Sequence, residues 1–171
     1  LQKPYIVMRQ ALDKVARDIV YSLCQYGMGN VWEWGADVGG NFWRTTGDLT
    51  DVWSNMAAVG FRQAGRERWS KPGHWTDPDM LVIGKVGWGP DIHDTRLTPN
   101  EQITHITLWT IQAAPLLNGA DMAQFDKFTT DLMTNHEVLE VNQDMLGRGG
   151  SRVRQDHRLE VWVKPLADGT K

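Results

Sequence analysis

The sequence predicts an α/β protein: about the last four strand-helix units of a partial (β/α)8 TIM barrel, followed by the start of a C-terminal antiparallel β-sandwich. Three observations predict it. Short apolar runs alternate with amphipathic stretches at intervals of roughly 20 to 40 residues, the rhythm of a parallel sheet with crossover helices. Polar and aromatic residues gather just after the apolar runs, where a barrel places its site-forming loops. After Gly147-Arg148-Gly149-Gly150 the pattern changes to the two-residue alternation of a hairpin. A closed barrel normally needs about 250 residues. The 171 residues here therefore read as a fragment whose other strands lay on its N-terminal side, because half a barrel leaves strand edges unpaired. An open doubly wound sheet is the alternative, but no Gly-x-Gly-x-x-Gly turn supports its dinucleotide-binding form.

The elements follow in order. Pro4 suits a first helical turn, and Tyr5, Met8, Leu12 and Val15 recur at three- and four-residue spacing as far as Arg17-Asp18. Ile19 to Cys24 reads as a buried strand, Val31 to Val38 as a short helix closed by Gly39-Gly40, and Phe42 to Thr46 as the next strand. A helix starts at Thr50-Asp51-Val52-Trp53, with Trp53, Met56 and Ala57 on one side. Residues 62–74 read as a loop and Met80 to Ile83 as a strand. Thr98-Pro99-Asn100-Glu101 combines an N-cap, proline at the first helical position and a capping-box Glu, ahead of Ile103, Ile106, Trp109 and Ile111. Ala114 to Gly119 makes a fourth strand, and Phe125 to Met133 and Val138 to Val141 two more helical pieces. Gly147 to Gly150 reads as a hinge, so the predicted domains are 1–148 (half-barrel) and 149–171 (start of the sandwich), the latter with a hairpin around Asp156-His157.

Composition narrows the function classes. A net charge of −3 and scattered Lys and Arg give no basic footprint, so nucleic acid is excluded as a partner. No apolar run approaches the roughly 20 residues of a membrane span. Single Cys24 cannot close an internal disulfide. Nine Trp residues are an excess, and most belong in cores.

Two motifs point to sugar chemistry: Trp43-Arg44-Thr45-Thr46-Gly47-Asp48 and His74-Trp75-Thr76-Asp77-Pro78-Asp79-Met80. Each sets an indole, a cation or hydroxyl and a carboxylate at the end of an extended segment. Arg44, Thr46 and Asp48 share a face if the strand runs on through Gly47, and Asp77 and Asp79 share another. A glycosidase needs two carboxyls flanking the scissile bond, and spacing alone nominates Asp48 and Asp79. The plain alternative makes Asp48 a helix N-cap and Asp77 and Asp79 turn residues around Pro78.

Five segments in order extend this: 19–27, Asn41 to Asp48, Gly73 to Leu81, Ala114 to Leu117, and Val141-Asn142-Gln143-Asp144. Together they closely resemble the melibiase-type α-galactosidases, glycoside hydrolase family 27. The resemblance implies a retaining exo-glycosidase that removes terminal α-linked galactose through a covalent galactosyl-enzyme, without cofactor or metal. It implies that Asp48 is the general acid/base, which requires burial or a negative neighbour to oppose the charge of Arg44. It makes Arg44, Asp79 and Met80 sugar contacts, and so replaces the spacing-based role of Asp79. Cys24, Gln25, Tyr26 and Gly27 match the loop that approaches the sugar's second carbon, where Tyr26 would crowd an N-acetyl group and Gln25 departs from the family's Glu. The family's nucleophile, in a Lys-Tyr-Asp-like motif, has no counterpart here and is expected upstream of Leu1, which leaves the isolated chain inactive. The resemblance also implies a secreted, periplasmic or lysosome-like location. A relative acting on β-L-arabinopyranosides or α-N-acetylgalactosaminides, or a non-catalytic carbohydrate-binding protein, is the alternative. His74, His93 and His105 near Asp91 and Asp94 lack a metal-binding spacing. Trp75 and Trp88 are candidates for stacking on sugar faces.

Overall fold

A computed structural model describes residues 1–171. Its centre is a parallel sheet ordered β1 (Ser22–Leu23), β2 (Phe42–Arg44), β3 (Trp75–Asp77). Register runs Ser22 to Phe42 to Trp75, and Arg44 faces Asp77. A further parallel bridge joins Leu81 to Asn118: Leu81 N donates to Leu117 O at 2.7 Å and Gly119 N to Leu81 O at 3.0 Å. Consecutive chain segments thus lie side by side in one direction, the arrangement expected of crossover-connected α/β units.

The strands are shorter than the sequence predicts. Val20, expected inside the first strand, is exposed, and the ladder there holds only Ser22 and Leu23. The third strand is Trp75–Asp77, not Met80 to Ile83. Pro78 has no N–H for a ladder, and Asp79 sits at φ 102, so the chain turns before the apolar run. Leu81, Val82 and Ile83 remain buried but pair only through the Leu81 bridge, and the fourth predicted strand is likewise reduced to Asn118.

Helix α1 (Lys3–Leu12) precedes β1, and α2 (Val31–Trp34), α3 (Trp53–Phe61) and α4 (Pro99–Ile111) follow as the crossover helices. Helix α1 ends before Val15 and packs through Tyr5 on Trp34 and Tyr21, ring centroids 5.6 and 6.5 Å away. Helix α3 buries Met56, Val59 and Gly60, while Trp53 is exposed; Gly60 admits Leu108 and Trp109, since a β-carbon there would lie 2.5 Å from Leu108 Cδ2. Helix α4 starts as its sequence dictates: Thr98 Oγ1 accepts from Glu101 N, and Glu101 Oε2 accepts from Thr98 N at 2.7 Å. The main core lies between α3, α4 and the 81–86 run, around Met56, Leu81, Ile83, Ile106 and Trp109. A smaller one gathers Leu23, Val31, Trp34, Val38 and Trp43.

The predicted loop 62–74 contains a 3-10 turn, Glu67–Trp69. An unpredicted hairpin, β4 (Lys85–Val86) with β5 (His93–Asp94), rises between the 81–83 run and α4. Helices α5 (Lys127–Met133) and α6 (His136–Asn142) are capped by Asp126 and Asn135. The terminal hairpin β6 (Ser151–Asp156) with β7 (Leu159–Val163) forms as read. Its glycine-rich approach is no free hinge. Gly149 and Gly150 are buried, and added β-carbons would lie 2.8 and 2.9 Å from the carbonyls of Gln112 and Ile111. The glycines allow close packing on the end of α4, and Trp75 Nε1 donates to Gly147 O at 3.1 Å.

Candidate active site

The site grows from the carboxyl ends of β1 and β2 and from the turn after β3. Arg44 closes β2 with its side chain 10% exposed. Its Nη2 lies 2.8 Å from Asp79 Oδ2 and 3.2 Å from Asp48 Oδ1, and donates to Thr46 O at 3.3 Å. The guanidinium also lies over the Tyr26 ring, 5.3 Å from its centroid. Residues drawn from three separate segments therefore meet at one cation. Strand β2 stops at Arg44 instead of running on to Thr46, yet the expected convergence of Arg44 and Asp48 is present.

The two carboxylates nominated by spacing differ sharply. Asp79 is locked: Oδ2 accepts from Leu49 N at 2.7 Å as well as from Arg44, and Oδ1 accepts from Met80 N at 2.8 Å. Its carbonyl accepts from Trp109 Nε1, and its own N–H donates to Asp77 Oδ1 at 2.8 Å. Three donors thus hold the carboxylate in place and leave an acceptor position only on Oδ1. Asp48 is the opposite, with a side chain 77% exposed and one polar partner, Arg44. It caps no helix, because the residue before α3 is Val52. The burial expected around Asp48 is absent. The negative neighbour is present, as Asp79 shares the same guanidinium.

The loop after β1 is shaped by backbone geometry. Tyr26 and Gly27 have φ of 54 and 80, and Gly27 N donates to Arg44 O at 3.0 Å. A β-carbon at Gly27 would sit 2.3 Å from Thr45 O, so only glycine lets this loop press on β2. Cys24 is an exposed free thiol, and Tyr26 is exposed beside it. Gln25 is buried, and its Oε1 accepts from Tyr5 Oη at 2.6 Å, which ties this loop to α1. Met80 is half-buried and lies against Gly119.

Three residues support the site in ways that sequence reading did not reveal. Asp51, three residues past Asp48, is buried and accepts from Arg96 N at 2.9 Å and Arg96 Nε at 3.1 Å, with His93 Nε2 at 3.0 Å. Burial opposes its ionisation, but the bonds from Arg96 and His93 outweigh this and hold its carboxyl well below the usual range. Asp77 is buried, which pushes it up to about 6 despite the Asp79 N–H and Arg44. His105 is buried behind the site and pushed down to about 3 by desolvation. Its Nε2 accepts from Val82 N at 3.1 Å, so the neutral ring carries its proton on Nδ1. The capping box and the Arg-Thr-Thr-Gly-Asp motif were visible in sequence; His105 and Asp51 depend on partners 23 and 45 positions away, and Asp77 on its burial in the fold.

These two shifts oppose each other in the pH dependence of stability. Between about pH 4 and 6 the folded chain keeps a proton on Asp77 that the unfolded chain releases, so this group stabilises the fold as pH falls. His105 acts the other way, because below about pH 6.5 only the unfolded chain takes up its proton. From pH 7 to 5 the His105 effect costs about 2 kcal/mol, and Asp77 offsets about two thirds of it. Asp77→Asn is therefore expected to lose about 1 kcal/mol more than wild type over that interval in urea unfolding. Equal losses in the two proteins would contradict the burial assigned to Asp77.

The family model for melibiases, described as alpha galactosidase A, matches residues 1–144. The chain belongs to the melibiase-type α-galactosidase family. Among relatives of this melibiase-family chain, Alpha-galactosidase 2 of Arabidopsis thaliana is 39% identical over 163 residues, covering 95% of the chain and 39% of the relative. Alpha-galactosidase of Cyamopsis tetragonoloba is 37% identical over 168 residues, 98% of the chain and 38% of that protein. Among solved structures, a GH27 β-L-arabinopyranosidase from Geobacillus stearothermophilus superposes with a TM-score of 0.89 at 32% identity, covering 98% of the chain and 39% of that structure. The melibiase-family chain thus spans about two fifths of the length of these relatives.

Proposed function

We propose that residues 1–171 carry the acid/base side of a retaining α-galactosidase site, and that Asp48 is its proton donor and acceptor. The observation that supports this most is the contrast at Arg44: one exposed carboxyl, Asp48, beside one buried carboxylate held by three donors, Asp79. In this reading Asp48 protonates the glycosidic oxygen as the bond breaks, then takes a proton from the water that releases galactose. Arg44 and Asp79 receive the sugar hydroxyls, the cation donating and the carboxylate accepting, while Met80, Cys24, Gln25 and Tyr26 shape the wall. Retention needs a second carboxylate about 5 to 5.5 Å from the first. No Lys-x-Asp-like motif occurs in residues 1–171, so the chain alone is expected not to turn over. We assign residues 1–148 to the barrel half and 149–171 to the sandwich, a division supported by the antiparallel pairing of β6 with β7.

The similarity to an arabinopyranosidase favours one alternative, a β-L-arabinopyranoside substrate, since that sugar is galactose without its exocyclic carbon. No helix here is long and apolar enough to cross a membrane, and a secreted, periplasmic or lysosome-like location is part of the proposal.

Titration of the 171-residue chain with galactose, followed by amide NMR, tests the reading. Galactose is expected to shift the amides of Arg44, Leu49 and Met80 at millimolar concentration, and N-acetylgalactosamine to do so at least several-fold more weakly because Tyr26 crowds its acetamide. Absence of any galactose shift counts against the site. Turnover of an aryl α-galactoside by this chain, abolished in Asp48→Asn, would show that a nucleophile lies within residues 1–171.

A further inference from the structure

The hairpin β4–β5 was not expected from sequence, and the assigned galactose contacts leave it without a role. It carries Trp88, a residue 74% exposed and the most exposed large aromatic in the chain. An indole left in water forgoes the burial that its area would otherwise contribute. The tip is nevertheless firmly built. Asp91 N donates to Trp88 O at 3.0 Å, His93 Nδ1 lies 2.7 Å from Asp91 O, and a β-carbon at Gly87 (φ 102) would lie 2.4 Å from that same carbonyl. Asp121 N donates to Lys85 O at 2.8 Å on the outer side.

The hairpin is also fastened to the segment that follows Asp48. Asp51 receives Arg96 N and Nε and His93 Nε2, which ties residues 49–51 to residues 93–96. Between these two segments lies a cavity of about 160 Å³, lined by Leu49, Thr50, Met80, Trp88, His93 and Arg96 among others. Leu49 and Met80 are the residues whose backbone N–H groups bind Asp79, so the cavity shares a wall with the Arg44 site.

We propose that this cavity is the subsite for the leaving sugar of an α-galactoside, a hexopyranose whose C–H face stacks on Trp88 while Arg96 donates to its hydroxyls. Arg96 commits Nε and Nη2 to Asp51, and its Nη1 donors remain for a ligand on a side chain that is 61% exposed. The proposal rests on the α-galactosidase reading, which places galactose at Arg44 and so puts its neighbour on the Asp48 side. Asp51, at the cavity wall, is then a positioning residue: its carboxylate is committed to Arg96 and His93 and fixes the hairpin and the Asp48 loop relative to each other.

Saturation-transfer NMR on the 171-residue chain with melibiose, an α-galactosyl-glucose, separates the two rings, and a chain that does not turn over leaves the probe intact. Wild type is expected to saturate both rings. Trp88→Ala should reduce the glucose-ring signal at least threefold and leave the galactose ring unchanged, with Trp88→Phe retaining most of it. Trp88 makes no side-chain hydrogen bond and is mostly exposed, so its removal leaves the fold intact. Saturation of galactose alone in wild type, or a glucose signal indifferent to Trp88→Ala, overturns the subsite and leaves the functional reading standing. Saturation of glucose alone refutes the galactose site instead, and saturation of neither ring refutes both.

Discussion

Asp48→Ala is expected to lower melibiose hydrolysis by about 10²- to 10⁴-fold once residues 1–171 are joined to a segment bearing the nucleophilic carboxylate. The size follows from the leaving group. A sugar alkoxide is a poor leaving group and needs the proton that Asp48 supplies, whereas fluoride leaves without one. The variant should therefore form the galactosyl-enzyme from α-galactosyl fluoride at a near-normal rate and then stall, because water is left without its base. Azide needs no base, so adding it should restore turnover and give galactosyl azide of retained configuration. A variant as active on melibiose as wild type, or one that azide does not help, would remove Asp48 from the chemistry.

Asp79→Ala should produce the largest loss of stability, about 3 kcal/mol in chemical unfolding. Arg44 and Asp79 are each only 10% exposed, so deleting the carboxylate leaves a buried guanidinium with the more distant, solvated Asp48 as its remaining carboxylate partner. Leu49 N and Met80 N lose their acceptor at the same time. The φ of 102 at this position adds strain for alanine. Arg44→Met combined with Asp79→Ala should cost less than the two single losses added, because no charge is then stranded. A loss below about 1 kcal/mol for Asp79→Ala would mean that water, not the protein, solvates Arg44.

Much of the candidate site was legible because its signals are local. Arg44 and Asp48 are four residues apart in a motif whose residue types suit sugar hydroxyls and proton transfer. The Thr98 to Glu101 capping box forms as written, since every atom it uses lies within four residues. Strand extents were less legible. Residues 80–83 have the composition of a strand, yet their neighbours satisfy them as buried irregular chain, because Pro78 and the positive φ of Asp79 end the ladder first. The β4–β5 hairpin was hidden for a related reason. Its two-residue strands are held by Asp51, Ala120 and Asp121, none of which its own sequence announces.

By itself, the sequence determined the α/β class, the family and the capping box that starts α4, because caps, apolar runs and motif chemistry act over a few positions. Only the tertiary structure decided what each carboxyl can do. Asp48 and Asp79 are the same side chain, and Asp79 is immobilised by Arg44, Leu49 and Met80 while Asp48 stands in solvent. Charge, burial and hydrogen bonding at a group are set by whatever the fold packs around it, and those neighbours come from distant parts of the chain.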